Sequence, residues 1–122
     1  MKNKLISTLL IALVSTFLAQ PLQAKIWRIN NNGFGADYAQ INAANNDPNV
    51  IAGDTLHLEG SNMEYNGVTL NKKLIIIGAG YFVTENPKTT NSGLSSMVKD
   101  ITLNAGSAGS VLMGIHVGRL RC

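Results

Sequence analysis

Asp54, Glu59, Glu64, Glu85 and Asp100 are the acids of this 122-residue sequence that could act on a bound molecule. Glycan cleavage needs two carboxylates facing each other across a bond, or, in a lyase, a basic group beside a calcium cluster of acids. These five are isolated from one another along the chain. Glu59 and Glu64 flank one turn and form the one conceivable pair, although solvated turn carboxylates are far commoner. Asp54, between Gly53 and Thr55, most simply bonds turn backbone. Asp37 opens Asp37-Tyr38-Ala39-Gln40, which has the form of a capping box and commits it to a helix start. His57 and His116 each stand between two apolar residues, so both should face outward, and their equivalent settings would put them on one exposed face. Solvated histidines are the plainer reading, and with no third His or carboxylate at ligand spacing no metal site is expected. Gly78-Ala79-Gly80 superficially suggests a dinucleotide fingerprint. Val83 stands where the third glycine belongs and Pro87 follows in a loop, so a turn is expected and no cofactor. Lys72-Lys73 reads as a solvated basic turn tip. Catalytic residues remain unknown from these positions.

The elements around these residues are short. Ile26 to Ile29 reads as a strand stopped by Asn30-Asn31-Asn32-Gly33, and Tyr38, Ile41 and Ala44 or Asn45 predict a helix over about 37–45. Pro48 ends that helix. From there the period is two: Leu56 and Leu58 point one way, and Val68-Thr69-Leu70 alternates again. Leu74 to Ile77 is a continuous apolar run, as in a strand buried on both sides. Residues 81–96 form an excursion loop, Met97 to Leu103 resumes strand, and Ser110 to Val117 is the last strand. Val68-Thr69-Leu70-Asn71 returns as Ile101-Thr102-Leu103-Asn104, 33 residues on, while Leu56 and Leu58 precede Ile75 and Ile77 by 19. Units this small must stack on copies of themselves, which predicts a parallel solenoid with Asn71 and Asn104 at equivalent corners in the left-handed conformation.

Lys2 and Lys4, an apolar stretch from Leu5 to Ala19 and a small residue at Ala24 have the order of an export signal, with cleavage expected after Ala24. The stretch is short for a membrane span. Residues 25–122 then carry eight basic and seven acidic side chains, a net charge of +1 against +3 for the whole sequence. No basic stripe remains, so nucleic acid is not expected as a partner. The single cysteine, Cys122, excludes an intramolecular disulfide.

Ala52-Gly53-Asp54-Thr55-Leu56-x-Leu58, then Tyr65, Val68-Thr69-Leu70-Asn71-Lys72 and Leu74-x-Ile76-x-Gly78, resembles the first coils of the right-handed parallel β-helix superfamily, the pectin-lyase-like proteins. Gly109-Ser110-Val111-x-x-Gly114-Ile115-x-Val117 resembles a following coil, and the helix before Gly53 is similar to that family's N-terminal cap. The resemblance implies an all-β, right-handed parallel β-helix fragment with a short capping helix. Residues 25–52 would be the strand and cap, 53–117 the first coils with a loop at 81–96, and 118–122 an unstructured tail. It also implies an exported bacterial protein, extracellular, on the cell surface or periplasmic, that continues beyond residue 122. Its activity stays open. The expectation is a structural or surface-binding module with polysaccharide as a partner. The alternative is part of a polysaccharide lyase or glycoside hydrolase whose catalytic coils lie further on. An uncapped last coil would self-associate through its C-terminal edge.

Overall fold

The computed structural model describes residues 2–7, 23–33, 35–81 and 94–122. Residues 2–7 are helical, but most of the segment expected to be an export signal and residues 82–93 of the expected excursion loop lie outside the described residues. Among the described residues, no helix is long and apolar enough to cross a membrane.

The remainder is built from short strands in parallel sheets. The first sheet has the order β1 (Ile26–Ile29), β2 (Thr55–Leu58), β4 (Ile75–Gly78), β7 (Val111–Met113). The second joins β3 (Val68–Leu70), β6 (Ile101–Leu103) and β9 (Leu120–Arg121). The third pairs β5 (Met97–Val98) with β8 (His116–Val117), and a parallel bridge from Tyr65 to Val98 extends it. From β2 onward the chain therefore visits the first sheet, the third and the second in turn, and then repeats that circuit from β4 and from β7. Each strand is too short to bury a face alone. Stacking in register lines up the inward side chains instead: Trp27, Leu56, Ile76 and Leu112 form one row across the first sheet. Val68 and Leu70 meet Ile101 and Leu103 in the second. Leu56, Leu58, Tyr65, Leu70, Leu74, Ile76, Val98 and Ile101 are fully buried in the core between them.

The 33-residue repeat holds as expected, Val68 pairing with Ile101 and Leu70 with Leu103. The 19-residue spacing does not. Thr55 pairs with Ile75 and Leu56 with Ile76, a step of 20. A slip of one residue would turn every side chain to the opposite face, and Leu56 requires a buried partner. Ile76 supplies it, while Ile75 and Ile77 are only half-buried and face outward. Gly78 ends the row because the Gly114 carbonyl and the Ser96 side chain occupy the space of a Cβ there.

The helix runs from Ile41 to Asn46, shorter than 37–45, and its N-cap is Gln40, without a side-chain cap bond. Asp37 is no helix cap: its Oδ2 accepts the Arg28 backbone N–H at 2.8 Å. The helix instead covers the open edge of β3. Asn45 Nδ2 donates to the Thr69 carbonyl at 3.0 Å and its Oδ1 accepts the Asn71 N–H at 3.4 Å, as a neighbouring strand would. Gln40 Oε1 accepts the Asn66 N–H and Asn42 Nδ2 donates to the Gly67 carbonyl. These amides satisfy an edge that would otherwise template pairing with another chain.

Two further expectations are corrected. Residues 118–122 are not a loose tail, because Leu120 and Arg121 pair with Ile101 and Thr102 as β9. The Arg119 carbonyl accepts the Ile101 N–H at 2.8 Å, which holds the segment to β6. Asn104 has φ −86°, not a left-handed corner. Among the described residues positive φ belongs to glycines alone, Gly53 at 96° among them, since glycine adopts that region without the Cβ penalty.

Candidate functional site

The inward and outward alternation of the first sheet sets what its outer face can offer. Arg28, His57, Ile77 and Met113 form one outward row, and Ile26, Thr55, Ile75 and Val111 the next. Arg28 is anchored at the end of its row: its guanidinium donates to Glu59 Oε1 from Nε at 2.6 Å and from Nη2 at 2.5 Å. Glu59 Oε2 accepts Asn30 Nδ2 at 2.6 Å. Both oxygens of Glu59 are thus engaged, which takes it out of the pair with Glu64, an exposed residue.

His57 and His116 do not share a face. His57 lies in β2 of the first sheet and His116 in β8 of the third. Lys72 is not a solvated tip: its Nζ donates to the Val50 carbonyl at 2.7 Å and to the Asp47 carbonyl at 3.1 Å, tying β3's turn to the end of the helix. Lys73 is exposed, Asp100 lies against Gly67, and Glu85 is outside the described residues. Among the described residues, no group of three His, Cys, Asp or Glu side chains is placed to hold a metal ion.

Among the described residues, Asp54 is the most deeply buried carboxylate. It is 1% exposed. Its Oδ1 accepts the Lys25 backbone N–H at 2.9 Å, and its Oδ2 accepts Trp27 Nε1 at 2.8 Å and the Ile51 N–H at 3.1 Å. Burial pushes its pKa up, but the bonds from Lys25, Trp27 and Ile51 and the charge of Lys25 together hold it below the ordinary carboxylate value. The turn bond expected of Asp54 exists, to Ile51. Its bonds to Lys25 and Trp27 were not legible, because they depend on β1 lying beside β2.

Two tyrosines are held neutral. Tyr65 is fully buried, its Oη 2.8 Å from the Glu59 carbonyl and 3.0 Å from the Ile29 carbonyl, and its single proton is shared between them. Burial, with the charge of Glu59 adding to it against a backbone bond from Asn31, pushes its pKa up to about 12. Tyr38 packs against Trp27 with ring centroids 5.5 Å apart and planes tilted by 57°, and it donates to Asp47 Oδ2 at 2.8 Å. These polar groups fasten segments to one another. Searches against protein-family models, curated proteins and solved structures find no match for the chain.

Proposed function

We propose that the chain forms a right-handed parallel β-helix closed at one end by the Ile41–Asn46 helix, that it is exported, and that it serves as a structural or surface-binding module. The observation that supports this reading is the fixed order in which the chain returns to its three parallel sheets. Each return would be one coil of a solenoid, in which neighbouring coils bury each other's short strands. Polysaccharide is the proposed ligand class, and the outer face of the first sheet, with Arg28 and His57 in one row, is the proposed contact surface. A module without catalysis is favoured because Asp54 and Glu59 spend their oxygens on backbone, Trp27, Asn30 and Arg28.

Affinity electrophoresis in gels cast with acidic and neutral polysaccharides tests the function. Retardation by at least one of them, with no new reducing ends or unsaturated products, is expected. Cleavage would overturn the module reading, and free migration in every gel would overturn the binding reading. Export is tested separately by intact mass, which should begin at Lys25. The outer strands β7, β8 and β9 are also proposed to pair between copies, with Val111 and Leu120 exposed there. Sedimentation across a concentration series should then show association, and a monomer at every concentration would refute it.

A further inference from the structure

We infer that removal of the leader completes an ion pair on a buried carboxylate, in which the new α-ammonium of Lys25 takes the place of the peptide N–H against Asp54. The inference rests on the export reading for its occasion, because the nitrogen is freed when the chain is cut between Ala24 and Lys25. Water adds across that peptide bond: Ala24 leaves with the carboxylate, and Lys25 N keeps the electron pair of the broken bond and is protonated.

The geometry is already in place before the cut. Lys25 N lies 2.9 Å from Asp54 Oδ1, while Oδ2 is taken by Trp27 and Ile51. Lys25 is held from its other side as well, its carbonyl accepting the Thr55 N–H at 2.8 Å, so cutting the chain does not release the residue from β2. Its side-chain Nζ is turned onto the Trp27 ring, 3.5 Å from the centroid. Lys25 itself is exposed, so the scissile bond is accessible although the carboxylate it faces is buried. The peptide N–H already makes a charge-assisted bond to the carboxylate; cutting the chain adds a full positive charge opposite it, and with the carboxylate buried that attraction is screened less than between two exposed groups. The precursor is therefore the less stable form, and processing tightens the joint between β1 and β2.

Among the described residues, every fully buried apolar side chain lies between Ile29 and Ile101, so the chain from Lys25 retains all of them. The test compares that chain carrying a free amine with the same chain N-acetylated, each with Asp54 and with Asp54→Asn, by urea unfolding. The free amine should raise the folding equilibrium constant about fivefold when Asp54 is present. It should have no effect in the Asp54→Asn pair. Equal stability of the free and acetylated chains, or a gain that survives Asp54→Asn, would overturn the inference. Should Asp54→Asn fail to fold, the titration of the Lys25 α-amine decides. It should lie at least about one unit above the ordinary range near 8, and a value within that range would overturn the ion pair. Exported protein whose mass does not begin at Lys25 would instead refute cleavage after Ala24, and retention of residues 1–24 would refute the export reading, either one leaving the pair measured in the cut chain intact.

Discussion

Replacing Ile76 and Ile77 separately by alanine measures the register of the first sheet directly. Ile76 is fully buried, stacked between Leu56 and Leu112 in the inward row. Truncation there removes buried methylenes and leaves a cavity between two other strands, at a cost of about 3–4 kcal/mol. Ile77 stands between His57 and Met113 on the half-buried outer face. Its truncation forfeits only the part of the side chain that is covered, about 1–2 kcal/mol. A domain of this size has a total stability near ~5–10 kcal/mol, so the first substitution consumes a large fraction of it. At ~4–8 °C per kcal/mol, Ile76→Ala should lower Tm by about 12–32 °C and Ile77→Ala by about 4–16 °C. Thermal and urea unfolding followed by circular dichroism, on chains differing at these positions alone, gives both numbers. A loss for Ile77→Ala equal to or greater than that for Ile76→Ala would show that the sheet pairs with a step of 19, and the account of the core given above would fail with it.

Asn45→Ala removes both bonds that the helix lends to the edge of β3 and leaves the Thr69 carbonyl and Asn71 N–H without their partner. A loss of about 1–3 kcal/mol is expected in urea, together with faster amide exchange at Asn71. Tyr65 sets an alkaline limit. Its pKa rises from 10.0 to about 12 on folding, chiefly through burial. Above 10 the folded chain keeps a proton that the unfolded chain has lost, so stability is complete below pH 10 and declines as pH climbs towards 12. Tyr38 acts in the same direction, so Tyr65→Phe should flatten this decline in part, as read by unfolding against pH alongside the ultraviolet absorbance of the phenolate.

The parallel architecture was legible because Leu56-His57-Leu58 declares its face without ambiguity and Val-Thr-Leu-Asn recurs as Ile-Thr-Leu-Asn. The phase of β4 was not. Four apolar residues in a row, Leu74 to Ile77, carry no alternation, and the choice between Ile75 and Ile76 is made by Leu56 and by the crowded backbone at Gly78. The two histidines misled for a related reason. Local alternation reports inward or outward but does not say which sheet a strand joins. Asp37 has the spacing of a helix cap, yet the nearer claim on it is the Arg28 N–H, a contact created where Tyr38 lies parallel to the end of β1. Asn45 looked like any polar residue at a helix end, because its value lies in Thr69 and Asn71, more than twenty residues away. Leu120 and Arg121 are too few to show a pattern and become a strand because β6 offers an edge.

The spacing of the strand partners also bears on how fast the molecule can form. Among the described residues, partners in paired strands are separated by as few as 19 positions, Met97 to His116, and as many as 36, Ile75 to Val111; the isolated Ile29–Tyr38 bridge is closer, and no two strands form a hairpin. Closure entropy changes by only about 0.6 kcal/mol for each doubling of the intervening chain, so these pairings start at nearly equal cost. None can zip up locally ahead of the others, which places the chain among slow, non-local folders. The order of assembly then falls to side-chain content. β2 and β4 bring Leu56, Leu58 and Ile76 together across 20 residues and form the best nucleus. Substitutions in those two strands should slow folding, whereas changes in β8 and β9, which dock onto a surface already built, should chiefly quicken unfolding.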